Sequence, residues 1–84
     1  MIKISSVVLA KNEEANIRRC IESQLNCIDE IVILIDNSTT DKTEEIVRKY
    51  DKVNYELVKW NGYAKTKMYG VSKTTNRWIF WIDA

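Results

Sequence analysis

Eighty-four residues, 45% hydrophobic and 30% charged, with no proline and two glycines, make one small globular unit, too short for two cores and too apolar for disorder. Thirteen basic residues against twelve acidic ones leave a net charge of +1 without a basic run, so nothing marks a nucleic-acid backbone as partner. Histidine is absent and cysteine occurs twice, which excludes Ser-His-Asp and Cys-His catalysis and leaves a zinc site short of ligands.

In chain order, Ile2 to Leu9 carries Ile4, Val7, Val8 and Leu9 and predicts a first strand. Ala10-Lys11-Asn12 follows as a loop. Asn12 is expected to cap a helix whose first turn holds Glu13 and Glu14, the sign of charge that a helix start favours. Ile17, Cys20, Ile21 and Leu25 give that helix one apolar face. Cys20 and Cys27 read as buried free thiols in a reducing compartment.

Ile28 to Ile35 predicts a second strand that ends in Asp36. Asn37 to Asp41 is turn chemistry, and Asp41 with Glu44 has the spacing of a capping box for a second helix with Ile46, Val47 and Tyr50 on its apolar side. Val53 to Val58 alternates and suits an edge strand. A third helix is expected over Tyr63 to Lys73, with Ala64, Met68 and Val71 on one side. The last stretch, Trp78-Ile79-Phe80-Trp81-Ile82, runs into Asp83 and reads as a strand buried on both faces.

The order β-α-β-α-β-α-β predicts an α/β fold with an open, mostly parallel, Rossmann-like sheet of strand order 3-2-1-4, truncated after strand 4. The loops after the first, second and fourth strands then open on one edge, which brings Asn12, Glu13, Asp36 and Asp83 towards a single crevice. A dinucleotide fingerprint and a P-loop are both missing, because the first turn reads Ala-Lys-Asn-Glu-Glu with no glycine. What remains is acids at strand ends with lysines nearby, a set that suits a nucleoside diphosphate. The same acids also have plain structural uses, in a turn (Asp36), a helix start (Glu13, Glu14) or a solvated chain end (Asp83). A small non-catalytic Rossmann-like interaction module is therefore the alternative. A sugar nucleotidyltransferase is disfavoured for want of a glycine-rich first loop.

Three segments stand in register: Ile4-Ser-Ser-Val-Val-Leu-Ala-Lys-Asn-Glu-Glu14 with Asn16, Ile33-Leu-Ile-Asp-Asn-Ser-Thr-Thr-Asp-Lys-Thr43, and Trp78-Ile-Phe-Trp-Ile-Asp-Ala84. Together they resemble the amino-terminal half of a family 2 glycosyltransferase with the GT-A fold, most like the lipopolysaccharide-core glucosyltransferase type. The resemblance implies that the backbone around Ala10, with Asn12 and Glu13, borders the nucleoside, that Asp36 meets the base, usually uracil, and that Lys67 lies near the nucleotide. Asp83 matches the first acid of an Asp-x-Asp motif, which implies contact with ribose or with a metal diphosphate. A divalent metal, Mg²⁺ or Mn²⁺, is thus implied in the intact enzyme, with Asp83 as a ligand. Trp60, Gly62 and Tyr63 match a further family segment, and packing is the expected use of the two aromatics.

The departures are specific. Ser38 stands where the family has glycine, Thr39 where it has serine, and Met68 where it has asparagine. The second acid of Asp-x-Asp would be residue 85, and the general base is expected further downstream, so no catalytic residue is expected within residues 1–84. The resemblance implies an inverting transfer of sugar from a nucleoside-diphosphate donor to a glycan or lipid-linked acceptor in cell-envelope glycan synthesis, with these residues alone inactive. No apolar run approaches the ~18 residues of a membrane span and no signal peptide is evident, so a cytoplasmic protein is expected, at the inner face of the membrane when intact. The outer side of the last strand is expected to leave Trp78, Phe80 and Trp81 exposed and prone to self-association.

Overall fold

A computed structural model of the chain describes residues 2–83, with Asp83 described by its backbone alone. Its elements are β1 (Ile4–Ala10), α1 (Ile17–Glu22), β2 (Glu30–Asp36), α2 (Thr43–Val47), β3 (Val53–Val58), α3 (Tyr63–Ser72) and β4 (Trp78–Asp83). The four strands form one parallel sheet in the order β3-β2-β1-β4, the doubly wound arrangement expected from the sequence. Register sets Leu9 beside Leu34 on one side and Asp83 on the other, so β1, β2 and β4 end at a common edge. Among the described residues no helix is long and apolar enough to cross a membrane.

Alternation along the strands sorts the side chains onto two faces. On one, Val8, Ile31, Ile33 and Ile35 meet Ile17 and Ile21 of α1 and Val47 of α2, all at 0% exposure. Each such side chain contributes about 1.5–3 kcal/mol through burial, and this is the main core. The Ser6 hydroxyl donates to Gln24 Oε1 on the same face, so a strand position that breaks the apolar pattern still has a partner.

The opposite face carries α3, and here an expectation is corrected. Ala64 and Met68 are exposed, Met68 at 69%, while Thr66 and Gly70 are the buried residues of the helix. Close approach explains it: a Cβ on Gly70 would lie 2.5 Å from Val7 Cγ1 and 3.2 Å from Leu34 Cδ1. The helix therefore turns its smallest side chain to the sheet.

Both helix starts are corrected as well. α1 begins at Ile17 rather than after Asn12, and Asn12 takes φ 51°, the left-handed region that asparagine tolerates better than most residues. The Glu13 carbonyl accepts from the backbone of Asn16 and Ile17, forming a turn ahead of the helix. α2 begins at Thr43, and neither helix has a side-chain cap on its N-cap residue. Asp41 and Glu44 form no reciprocal box, since the Glu44 carboxylate instead accepts from the Tyr55 hydroxyl.

β4 is not buried on both faces: Trp78, Phe80 and Trp81 are 58%, 56% and 43% exposed. The packing of α3 falls on β1 and β2, and no strand among the described residues pairs with the outer edge of β4. The thiols are also less buried than expected, with Cys27 exposed in the turn after α1 and Cys20 half-buried. Burial pushes the Cys20 thiol pKa up, helped by the nearby Glu13 charge and opposed by a hydrogen bond from Gln24.

Candidate functional site

The site grows from two loops stapled together at the carboxyl ends of β1 and β2. Thr40 donates its N–H to Asn12 Oδ1 at 2.9 Å, and the Glu13 N–H donates to Thr43 Oγ1 at 2.9 Å. The Glu14 N–H donates to Asp41 Oδ2 at 2.9 Å, and the Lys42 N–H returns to Glu14 Oε1 at 3.1 Å. Thr43, fully buried, donates a hydrogen bond from its own hydroxyl to Asp41 Oδ1. Most of the polar side chains in Asn-Glu-Glu and Thr-Thr-Asp-Lys-Thr are thus employed in fixing the loops to each other. Desolvation raises the Asp41 pKa, but hydrogen bonds from the Thr43 hydroxyl and from the backbone of Glu14 and Thr43 outweigh it and hold the carboxyl below its ordinary 3.8.

Asp36 ends β2 inside this frame. Its Oδ1 accepts the N–H of Ser38 at 2.9 Å and the Ser38 hydroxyl at 2.8 Å. The Ser38 backbone and hydroxyl bonds lower the Asp36 pKa below 3.8, against a smaller desolvation effect, and the Lys11 charge adds to the lowering. The serine in place of glycine does not need a positive φ, which among the described residues belongs to Asn12 and Gly62. It adds a hydroxyl bond that glycine lacks. Among the described residues Oδ2 takes no hydrogen bond and is directed by a carboxylate already fixed at Oδ1.

Beside Asp36 opens a cavity of about 360 Å³. Leu9 and Leu34 supply apolar floor from β1 and β2, Val58 and Thr66 supply wall from β3 and α3, and Ala10, Lys11, Glu13 and Trp60 complete it with Asp36. An apolar cleft with few fixed polar groups is the usual form of a small-molecule site. The structure thus brings together Ala10, Glu13 and Asp36 of the residues expected from the sequence. Asn12 lies in the adjoining loop with its side chain on Thr40. Lys67 is directed elsewhere: its Nζ sits 4.2 Å from the centroid of Tyr63 and 5.1 Å from that of Trp81, between α3 and β4. The backbone of Asp83 reaches the same sheet edge opposite Leu9, and its carboxylate lies outside what is described.

Lys11, Thr66 and Trp60 line the cavity without having been singled out from the sequence for it. Lys11 was legible from its place in the first βα turn; Thr66 was hidden by the mistaken face of α3. Among the described residues no group of three or more Asp, Glu, Cys or His side chains is placed to hold a metal. The described carboxylates thus form no multidentate cation site, and the carboxylate of Asp83, the expected metal ligand, lies outside the described side chains.

Residues 5–84 match the model of glycosyl transferase family 2. An uncharacterized glycosyltransferase of Rickettsia typhi is 42% identical over 86 residues, covering 100% of this chain and 28% of that protein. The lipopolysaccharide core biosynthesis glycosyltransferase LpsC of Rhizobium meliloti is 30% identical over 87 residues, covering 99% of this chain and 32% of that protein. The glycosyltransferase SunS of Bacillus subtilis, prophage-derived, is 31% identical over 85 residues, covering 96% of this chain and 19% of that protein. The chain therefore spans about a third or less of the length of these relatives. A parallel sheet of order 3-2-1-4, a loop-framed cleft at its switch edge and a family match over residues 5–84 agree: the chain belongs to glycosyl transferase family 2.

Proposed function

We propose that these residues form the donor-nucleotide half of an inverting glycosyltransferase, one that moves a sugar from a UDP-linked donor to a hydroxyl acceptor in cell-envelope glycan synthesis. The observation that carries this reading is the cavity at the ends of β1 and β2, where an apolar floor meets the oriented carboxylate of Asp36. A carboxylate with one oxygen fixed and the other open suits the N–H edge of a nucleobase, and the apolar floor suits the face of the ring. Lys11 on the cavity lining adds positive charge for an anionic ligand. In the intact enzyme the diphosphate leaves as a base-activated hydroxyl attacks the anomeric carbon in line, with the base and any divalent cation supplied from outside the described side chains. Residues 1–84 alone accordingly carry no transferase activity. The name of LpsC, a lipopolysaccharide core biosynthesis glycosyltransferase, supports an envelope glycan as product; the proposal adds a glycan or lipid-linked acceptor met at the cytoplasmic face of the membrane.

A second reading, a non-catalytic interaction module, draws on one observation: Asn12, Glu14, Asp41 and Thr43 are all used in binding the two loops together. Nucleotide titration separates the two. A donor site prefers UDP over ADP and loses that preference in Asp36→Ala, whereas a scaffold discriminates between neither nucleotide.

A further inference from the structure

Charge is unevenly spread along the chain. Residues 57–82, from the end of β3 through α3 and into β4, hold five of the thirteen basic residues and none of the twelve acidic ones. Among the described residues they also hold eight of the nine exposed large hydrophobic side chains. α3 turns Thr66 and Gly70 to the sheet, which leaves Lys65, Met68 and Tyr69 exposed on its outer side. Lys59 and Lys65 line a groove of about 430 Å³ beside β3 and α3, together with Leu57 and Tyr69. Lys67 lies over the rings of Tyr63 and Trp81. Strand alternation sets Trp81 on the α3 side of the sheet and turns Trp78 and Phe80 to the other.

Besides Asp36 at the cavity, Glu30 and Glu56 project to the α3 side from β2 and β3, in step with Leu34 beneath Gly70. Both are engaged: Glu56 accepts from the Tyr69 hydroxyl and lies 3.9 Å from Lys73 Nζ, and Glu30 accepts from Ser5 and Thr75. Among the described residues Lys59, Lys65 and Lys67 form no ion pair. The cations of α1 and α2 differ, standing among Glu22, Glu44 and Glu45, with Arg48 at 3.9 Å from Glu44.

We propose that the outer face of α3, with the loop that joins β3 to it, docks on a membrane surface rich in anionic lipid. Aromatic rings and a thioether chain suit the boundary between headgroups and acyl chains, while lysine stems reach along it to the phosphates. Charge complementarity selects the occupant. A second copy would set these lysines against lysines, and a neutral bilayer would leave them unused. The groove shares Val58 and Thr66 with the cavity beside Asp36, so docking holds that cavity near the bilayer. The surface does not depend on nucleotide binding.

The test is vesicle flotation of the 84-residue chain, with phosphatidylcholine alone and with phosphatidylcholine containing about one-third phosphatidylglycerol. The chain floats with the anionic vesicles only and is released in about 1 M salt, where the screening length falls to about 3 Å. Lys59→Gln with Lys65→Gln weakens binding roughly 25-fold, about fivefold for each charge taken from the contact. Arg19→Gln with Lys49→Gln, an equal change in net charge on α1 and α2, stays within about twofold of wild type, because screening confines the attraction to nearby charges. Phe80→Ser, on the other face of β4, binds as wild type, which separates docking from association through the strand edge. All five substituted side chains are exposed, and circular dichroism with thermal midpoints checks that each variant folds. Equal binding to both kinds of vesicle, equal losses in the two double variants, loss of binding in Phe80→Ser, or a folded wild type that floats with neither vesicle would each overturn the proposal. None of these results bears on UDP binding, so the donor-site reading is tested separately.

Discussion

Asp36 and Asp41 are both held below the ordinary carboxylate pKa by donors that the fold delivers, and they do different work. Asp36 is oriented by Ser38 with one oxygen to spare, so its ionised form is set up for a ligand. Asp41 gives both oxygens to the chain, one to Thr43 and one to Glu14, so its ionised form is set up for folding. A carboxylate whose folded pKa lies below its unfolded value stabilises the fold above the unfolded value, and that stability is lost as pH falls through the folded one. The thermal midpoint of the chain is therefore steady above pH 5 and declines on acidification from 3.8 downward. Asp41→Asn starts from a lower midpoint and shows a shallower decline. Thermal melts between pH 2.5 and 7 check this, and parallel curves for the two proteins would refute the role given to Asp41.

At the scale of elements, the strands were readable and the helices only partly so. The second strand is an unbroken run of Ile31-Val32-Ile33-Leu34-Ile35, whose burial from both faces leaves few alternatives to a central position. Helix starts misled, because the partners of Asn12, Glu14 and Asp41 lie 27 to 28 residues away on the other loop, and local capping patterns carry no information about them. The face of α3 misled for a related reason. Hydrophobic spacing points to Met68 and Val71, whereas close packing selects Thr66 and Gly70. Of the cavity lining, Glu13 and Asp36 were readable from strand ends and Ala10 from the family resemblance, while Thr66 and the place of Trp60 required the cavity itself. Gly70→Ala tests the close approach directly. Helix propensity gains up to about 1 kcal/mol from the change. The contact with buried, β-branched Val7 at 2.5 Å exceeds that gain, since overpacking typically costs about 1–3 kcal/mol. The expected outcome in urea melts is a net loss of stability, and a stabilised variant would show that α3 sits further from the sheet.

Over the whole molecule, a sheet well covered at β1 and β2 ends at β4 in exposed Trp78, Phe80 and Trp81. A parallel strand with an open edge and large apolar side chains is a template for pairing. In isolation the chain is expected to self-associate through this edge with increasing concentration. Replacing Phe80 by lysine, which blunts an edge by charge, is expected to reduce that association. Sedimentation velocity over a hundredfold concentration range checks both, and a monodisperse wild-type monomer throughout would contradict the expectation. At the carboxyl ends of β1 and β2 the stapled loops, the oriented Asp36 and the cavity together form the claim on which the functional reading depends. Its most direct test is a calorimetric titration of the folded chain with UDP, with ADP as control, repeated on Asp36→Ala. Saturable binding that favours UDP and falls at least about tenfold in the variant, the scale of losing a charge-assisted hydrogen bond, is the predicted result. Equal binding of UDP and ADP, or binding unchanged by Asp36→Ala, would contradict the account.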